Sequence, residues 1–209
     1  MFPKPTDAQL DLINKFTAAQ IQAEEVVVVS FVGTDNLLNR SLGKWGINEL
    51  EKLAGLLPGL PLTLDHDWVN VSKVQGLAFD ARVTISPNPP EWVSRSASYT
   101  WNMAIIAKEG YRALEFDVSI PANAEILIPL RFGSIGKISL GGFAYKNIIC
   151  PLCNVPFDDQ RCPHLIPDNF TSNELNAAPY YIRSDVIDLG EASIVTIPNY
   201  IGTGTKKTS

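Results

Sequence analysis

Hydrophobic positions recur at helical spacing in a few stretches of the chain and alternate through most of the rest. Residues 6 to 24, "TDAQLDLINKFTAAQIQAE", open on Thr6-Asp7, and Leu10, Ile13, Phe16 and Ile21 follow at roughly helical intervals, which predicts a helix. "EVVVVSFVGT" is rich in β-branched residues and reads as a buried strand ended at Gly33. A second helix is predicted over 47–57, closed by Pro58-Gly59, and a third over Trp101 to Ala107. "LPLTLDH" and "KVQGLAFDARVTI" read as strands joined by a turn at Asn70 to Ser72, and "ISPNPPEW" as a proline-rich turn. "YRALEFDVSI", "AEILIPLRFGSI" and "GKISLGGFAYKNI" alternate as strands do. Residues 165–180 read as loop, "SDVIDLGEASIVTIP" as a closing strand pair and "GTGTKKTS" as a polar tail. The expected class is α+β, mostly antiparallel β, either layered or closed into a barrel.

Composition narrows the function more than the fold. A chain of 209 residues holds one sizeable core. A net charge of -5 argues against a nucleic-acid backbone as partner, because phosphate binding needs a basic surface. "MFPKPTDAQLDL" lacks the charged and apolar regions of a signal peptide, and "VVVVSFVG" is too short to span a bilayer. A soluble, intracellular protein is therefore expected.

The three cysteines fall within thirteen residues, in "CPLCNVPFDDQRCPH". A disulfide framework wants an even count spread along the chain, whereas this cluster suits a metal. Cys150, Cys153, Cys162 and His164 supply three thiolates and one imidazole, the tetrahedral set that Zn²⁺ takes. A filled set leaves no open position, so the zinc would be structural, stapling an insert at 148–168 that has no core of its own. A redox role for the C-x2-C pair leaves Cys162 unexplained, and three buried thiols beside an unrelated histidine is the plain alternative.

If His164 binds metal, His66 in "LTLDHDW" is the one imidazole left for proton transfer, the chain having two histidines. On a strand, Asp65 and Asp67 would point away from His66, so its partner must come from elsewhere. Ser139, in "SIGKISLGGF", shares a strand face with Lys137 and Gly141, where a substrate backbone can approach. Read alone it is an ordinary strand serine, and no glycine two residues earlier makes a nucleophile elbow. Glu191, in "DLGEASIVTIP", sits in an apolar strand and needs a partner there, either a Lys or Arg or an imidazole.

Three blocks carry a resemblance: "LTLDHDWVNVSKVQGLAFDARV", "ISLGGF" and "LGEASIVTIPN", in order over residues 62–199. They resemble the prohead (capsid maturation) serine proteases of tailed phages, distantly related to the herpesvirus assemblins. The resemblance implies an assemblin-like closed β-barrel with a few surrounding helices. It divides the chain into an N-terminal helical segment (1–24), a protease-like β domain (25–201) and a polar tail (202–209). It implies Ser139 as nucleophile, His66 as general base and Glu191 as the group orienting the imidazole. The assemblins use a second histidine in that last role. Here the other histidine is His164, so a metal-bound His164 and a His–Ser–His set exclude each other. The second glycine of "SLGG" stands where the family usually has an aromatic, and the cysteine insert is absent from its simplest members. Expected partners are phage capsid and scaffold proteins and further copies of the chain, within a procapsid or virion in the host cytoplasm. The alternatives are a non-enzymatic virion component that keeps the fold, and a zinc-stapled binding protein unrelated to phages.

Overall fold

Thr6 starts the first helix. Its hydroxyl accepts the Gln9 N–H at 3.3 Å while the Gln9 side chain accepts the Thr6 N–H at 3.0 Å, a reciprocal cap over α1 (Asp7–Asn14). The helix is shorter than the 6–24 that spacing suggests. Asn14 turns its amide onto the Ile21 backbone, accepting the N–H at 2.7 Å and donating to the carbonyl at 3.2 Å, so residues 15–24 fold back. Such bonds compete with helix continuation. The computed structural model describes residues 2–67, 69–88, 90–167 and 178–206. After α1 come β1 (Val26–Asp35), β2 (Gly43–Trp45), α2 (Ile47–Leu56), β3 (Pro61–Leu64), β4 (Gly76–Ser86), α3 (Tyr99–Glu109) and β5 (Tyr111–Pro121). They are followed by α4 (Leu127–Phe132), β6 (Lys137–Gly141), β7 (Ala144–Ile149), β8 (Tyr181–Asp188), β9 (Glu191–Val195) and β10 (Gly204–Thr205). The loop expected over 165–180 falls largely outside the described residues, as do Pro89 of the proline-rich turn and the last three residues of the tail.

The strands form a seven-stranded sheet, ordered β10-β1-β5-β4-β3-β9-β6, and a three-stranded sheet, ordered β2-β8-β7. Pairing is antiparallel except for β3 with β9 and β2 with β8. The class is α+β as expected, but among the described residues the expected closed barrel is not formed. The edges β10 and β6 do approach: the Thr205 N–H donates to the Gly136 carbonyl at 2.8 Å, and the Thr203 hydroxyl to the Ile138 carbonyl at 2.5 Å. Yet β10 has two residues, both paired to β1, too few to build a ladder across the gap.

The core lies between the large sheet and α2. Phe31 of β1 stacks on Phe116 of β5 with ring centroids 5.6 Å apart, and Leu50, Leu53, Leu62, Val118 and Ile138 are fully buried around them. α2 also holds the smaller sheet: the buried Glu49 carboxylate accepts the Val186 N–H at 2.7 Å. α1 is continuous with the fold, its Ile13 packing with Val26, Val28 and Phe79.

Two expected strands turn out otherwise. "AEILIPLRFGSI" holds the helix α4, with Ile126 and Leu130 buried one turn apart and Gly133 closing it at φ 70°. Pro129 sits in its first turn, where no N–H is needed, but would leave a gap in a strand ladder. "SDVIDLGEASIVTIP" contains two strands that do not pair with each other. β8 pairs with β7 and β9 with β6, and the registers Gly141↔Glu191 and Ala144↔Asp188 make 137–149 and 182–195 two sides of one ribbon. The ribbon bends between the sheets at Gly142 (φ 68°) and Phe143, opposite Leu189 and Gly190. The tail is in part structural as well, since β10 lies in it.

A buried polar segment follows β1. Lys44 meets Glu109 at 2.6 Å, and Asp35 accepts the Leu37 N–H at 2.9 Å. Burial pushes the Asp35 carboxyl from 3.8 up to about 7, against the opposing Leu37 N–H and Tyr111 phenol. The folded chain thus holds a proton there that the unfolded chain has released, and stability falls as pH rises from about 4 through about 7. The expected outcome is that the melting temperature of Asp35→Asn, relative to wild type, rises between pH 5 and pH 8. Calorimetry at both pH values checks it.

Candidate functional site

The chain leaves β3 at Leu64 through Asp65 (φ 54°) and His66 (φ 60°), two successive left-handed residues that are not glycine. β9 holds this turn in place. The Asp65 N–H donates to the Ile194 carbonyl at 3.0 Å and the His66 N–H to the Ser193 hydroxyl at 2.8 Å. His66 therefore lies beyond the strand, so the alternation invoked for Asp65 and Asp67 does not apply. The inference drawn from it still agrees with the contacts: Asp67 accepts the Asn70 N–H at 3.2 Å, and neither aspartate bonds the ring among the described residues.

The imidazole meets Glu191. His66 Nδ1 lies 2.6 Å from Glu191 Oε1, and the Thr63 hydroxyl donates to Glu191 Oε2. Glu191 is 2% exposed while the imidazole is 41% exposed, so a buried carboxylate carries a ring whose far side faces solvent. No Lys or Arg pairs with Glu191 among the described residues, which decides between the two partners that the sequence leaves open. Gly141 allows the contact: a Cβ there would stand 2.7 Å from His66 Nδ1 and 2.8 Å from Glu191 Oε1. The same glycine is thus approached closely by the ring.

Ser139 is on the same face. It pairs with Ser193 as Gly141 pairs with Glu191, and directly opposed residues of an antiparallel pair share a face. It lies two residues, roughly 7 Å, along β6 from the glycine under the imidazole. Its hydroxyl makes no hydrogen bond among the described residues. The structure thus joins His66 to Glu191 and sets Ser139 on the same sheet face, not bonded to the ring. A concavity of about 800 Å³ lies elsewhere, against α4 and β10, and touches none of the three.

The cysteine segment forms its own centre. The Cys150 N–H donates to the Val155 carbonyl at 2.9 Å and the Asn154 N–H to the Cys150 carbonyl at 2.8 Å, a tight turn at the end of β7. Cys150 Sγ lies 3.6 Å from His164 Nδ1, Cys153 Sγ 3.5 Å from Cys162 Sγ, and Cys162 Sγ 4.0 Å from His164 Nδ1. The four ligand atoms lie within 4.8 Å of one another. A tetrahedron with bonds of about 2.3 Å has edges of roughly 3.8 Å, so this group can hold a metal ion.

Sequence reasoning gave no role to Thr63, Ser193 or Gly141 as supports of the imidazole. All three lie inside the quoted blocks. Thr63 has no local signal, because its partner is 128 residues away.

Gly141→Ala is expected to fold but to push the half-exposed ring off Glu191. Loss of the hydrogen-bonded Nδ1–H proton resonance in NMR reports it; an unchanged resonance contradicts it. Removal of metal by a chelator is expected to lower the melting temperature by several degrees, with metal analysis giving one ion per chain before and none after, and Cys153→Ser to reproduce the loss.

Among the described residues no helix is long and apolar enough to cross a membrane. No family model matches the chain, and neither curated proteins nor solved structures give a match.

Proposed function

We propose that the chain is a serine endopeptidase of the prohead maturation type, cleaving scaffold or capsid protein during phage head assembly. The observation that carries this reading is the 2.6 Å contact between His66 Nδ1 and the buried Glu191, on the sheet face that bears Ser139. With the ionised carboxylate accepting from Nδ1–H, Nε2 is the basic nitrogen, and it is the one directed away from Glu191. His66 takes the Ser139 proton through Nε2 as Oγ attacks the peptide carbonyl, then delivers it to the leaving amine. Water repeats the sequence in reverse on the acyl-enzyme. Glu191 fixes the ring's orientation and stabilises it while it is cationic, and Thr63 keeps Glu191 in place. The Ser139–His66 bond closes when substrate is bound, since such bonds are often long in free enzymes. The resemblance in the three sequence blocks supplies the substrate class and the setting inside a procapsid.

Zn²⁺ is the metal that suits Cys150, Cys153, Cys162 and His164, and its role is structural because four protein ligands complete the set. With His164 in that centre, Glu191 takes the place of the assemblins' second histidine.

One observation favours a second reading, a virion component that keeps the fold without activity: the unbonded Ser139 hydroxyl. Mass spectrometry of capsid and scaffold proteins co-produced with the chain separates the two. The protease reading expects discrete cleavage products with wild type. It expects losses on the order of 10⁶-fold with Ser139→Ala and of 10⁴-fold with Glu191→Gln, both variants remaining folded. Intact proteins with wild type, or products unchanged by Ser139→Ala, overturn it.

A further inference from the structure

Arg183 is a buried cation without an anion among the described residues. It stands on β8 beside Trp45 of β2 and is 8% exposed. Its guanidinium lies 5.1 Å from the Trp45 ring and 5.3 Å from the Tyr181 ring. Its donors reach the Tyr200 hydroxyl at 3.1 Å and the Tyr181 hydroxyl at 2.9 Å, and the Tyr145 hydroxyl is a third acceptor. No carboxylate pairs with it among the described residues. Aromatic faces and phenols offset part of the cost of burying a guanidinium, but its five N–H donors call for more acceptors than three hydroxyls.

The space beside it is empty of protein. A cavity of about 120 Å³ between the two sheets is lined by Arg183, Trp45, Thr34 and Tyr200, and on its β6 side by Ile138, Ser139 and Leu140. The Trp45 indole N–H is buried without a hydrogen-bond partner among the described residues, and the Thr34 hydroxyl has only the Tyr200 phenol beside it. Buried donors are rarely left so. Here such a donor lines one cavity with an arginine that has donors to spare. Arg183 and Trp45 require an acceptor, and Arg183 requires that it be negative.

We infer that this cavity binds a small carboxylate, held in the guanidinium fork and completed by the Trp45 N–H and the Thr34 hydroxyl. A carboxylate is planar, has the oxygen spacing of the guanidinium fork, and fits the volume. Its source is either a free monocarboxylate or the side chain of an acidic residue on a peptide. The inference does not depend on proteolysis, because its readout involves no cleavage.

The test is an NMR titration of the full chain with ¹⁵N-labelled indoles, at constant ionic strength. The Trp45 signal is assigned by its absence in Trp45→Phe. Sodium acetate is expected to shift that signal saturably, whereas sodium chloride is not. Arg183→Gln is expected to abolish saturation. Thr34→Val, close to isosteric, is expected to weaken binding by roughly two- to tenfold while leaving the spectrum otherwise folded. A blocked tripeptide centred on glutamate that competes with acetate, its glutamine counterpart failing to, identifies a peptide side chain as the source. Acetate binding without competition identifies a free carboxylate. A Trp45 signal that does not saturate with acetate or with the peptide, or saturation unchanged in both variants, overturns the inference and leaves the cavity to water.

Discussion

A buried carboxylate organises one face of the large sheet. Glu191 lies at the start of β9, and its two oxygens are divided between the Thr63 hydroxyl and the His66 ring. Taking such a group out of water is tolerable when its lone pairs are used, and leaving one unused costs roughly 1–3 kcal/mol. The neighbourhood follows from that requirement. Residue 63 must carry a donor, the turn after β3 must bring an imidazole back over β9, and residue 141 can have no side chain where that imidazole sits. A left-handed pair at Asp65 and His66 is an unfavourable backbone, and it persists because both N–H groups are fixed to β9.

The ribbon formed by 137–149 and 182–195 explains why two chemistries share so short a stretch. Each side crosses from one sheet to the other at glycine, Gly142 on one side and Gly190 on the other. One half of the ribbon presents Ser139 and Glu191. The other half ends in the turn that begins with Cys150 and contains Arg183 on its return strand. A metal bound by the cysteine group ties down the far end of this ribbon, so it acts on the lever that carries the face of Ser139 and not on that face itself.

Much of this was legible in the residues, and for identifiable reasons. The β-branched run of β1 and the capped start of α1 are local signals, and the structure places both elements where those signals fall. The metal group was readable because its ligands lie within fifteen positions. Glu191 was readable because an acid in an apolar strand needs a partner. What escaped depends on partners distant in sequence. Alternation marks β8 and β9 as strands but not which sheet each joins. α4 imitates a strand because its six residues are too few to show a helical period. The barrel did not close because β10 is two residues long, a length that no hydrophobic pattern encodes. Arg183 gave no warning, since an arginine in a strand ordinarily faces water.

The parallel pairing of β3 with β9 carries a consequence in time. It joins positions separated by about 130 residues, and the bonds that anchor the His66 turn to β9 cross that seam. Contacts of such long range form after local ones, because the loop between them must close first. A nascent chain therefore has its serine exposed on the ribosome well before Glu191 has emerged to hold the imidazole. Whatever reactivity this face possesses is withheld from the growing polypeptide and granted only to the finished one.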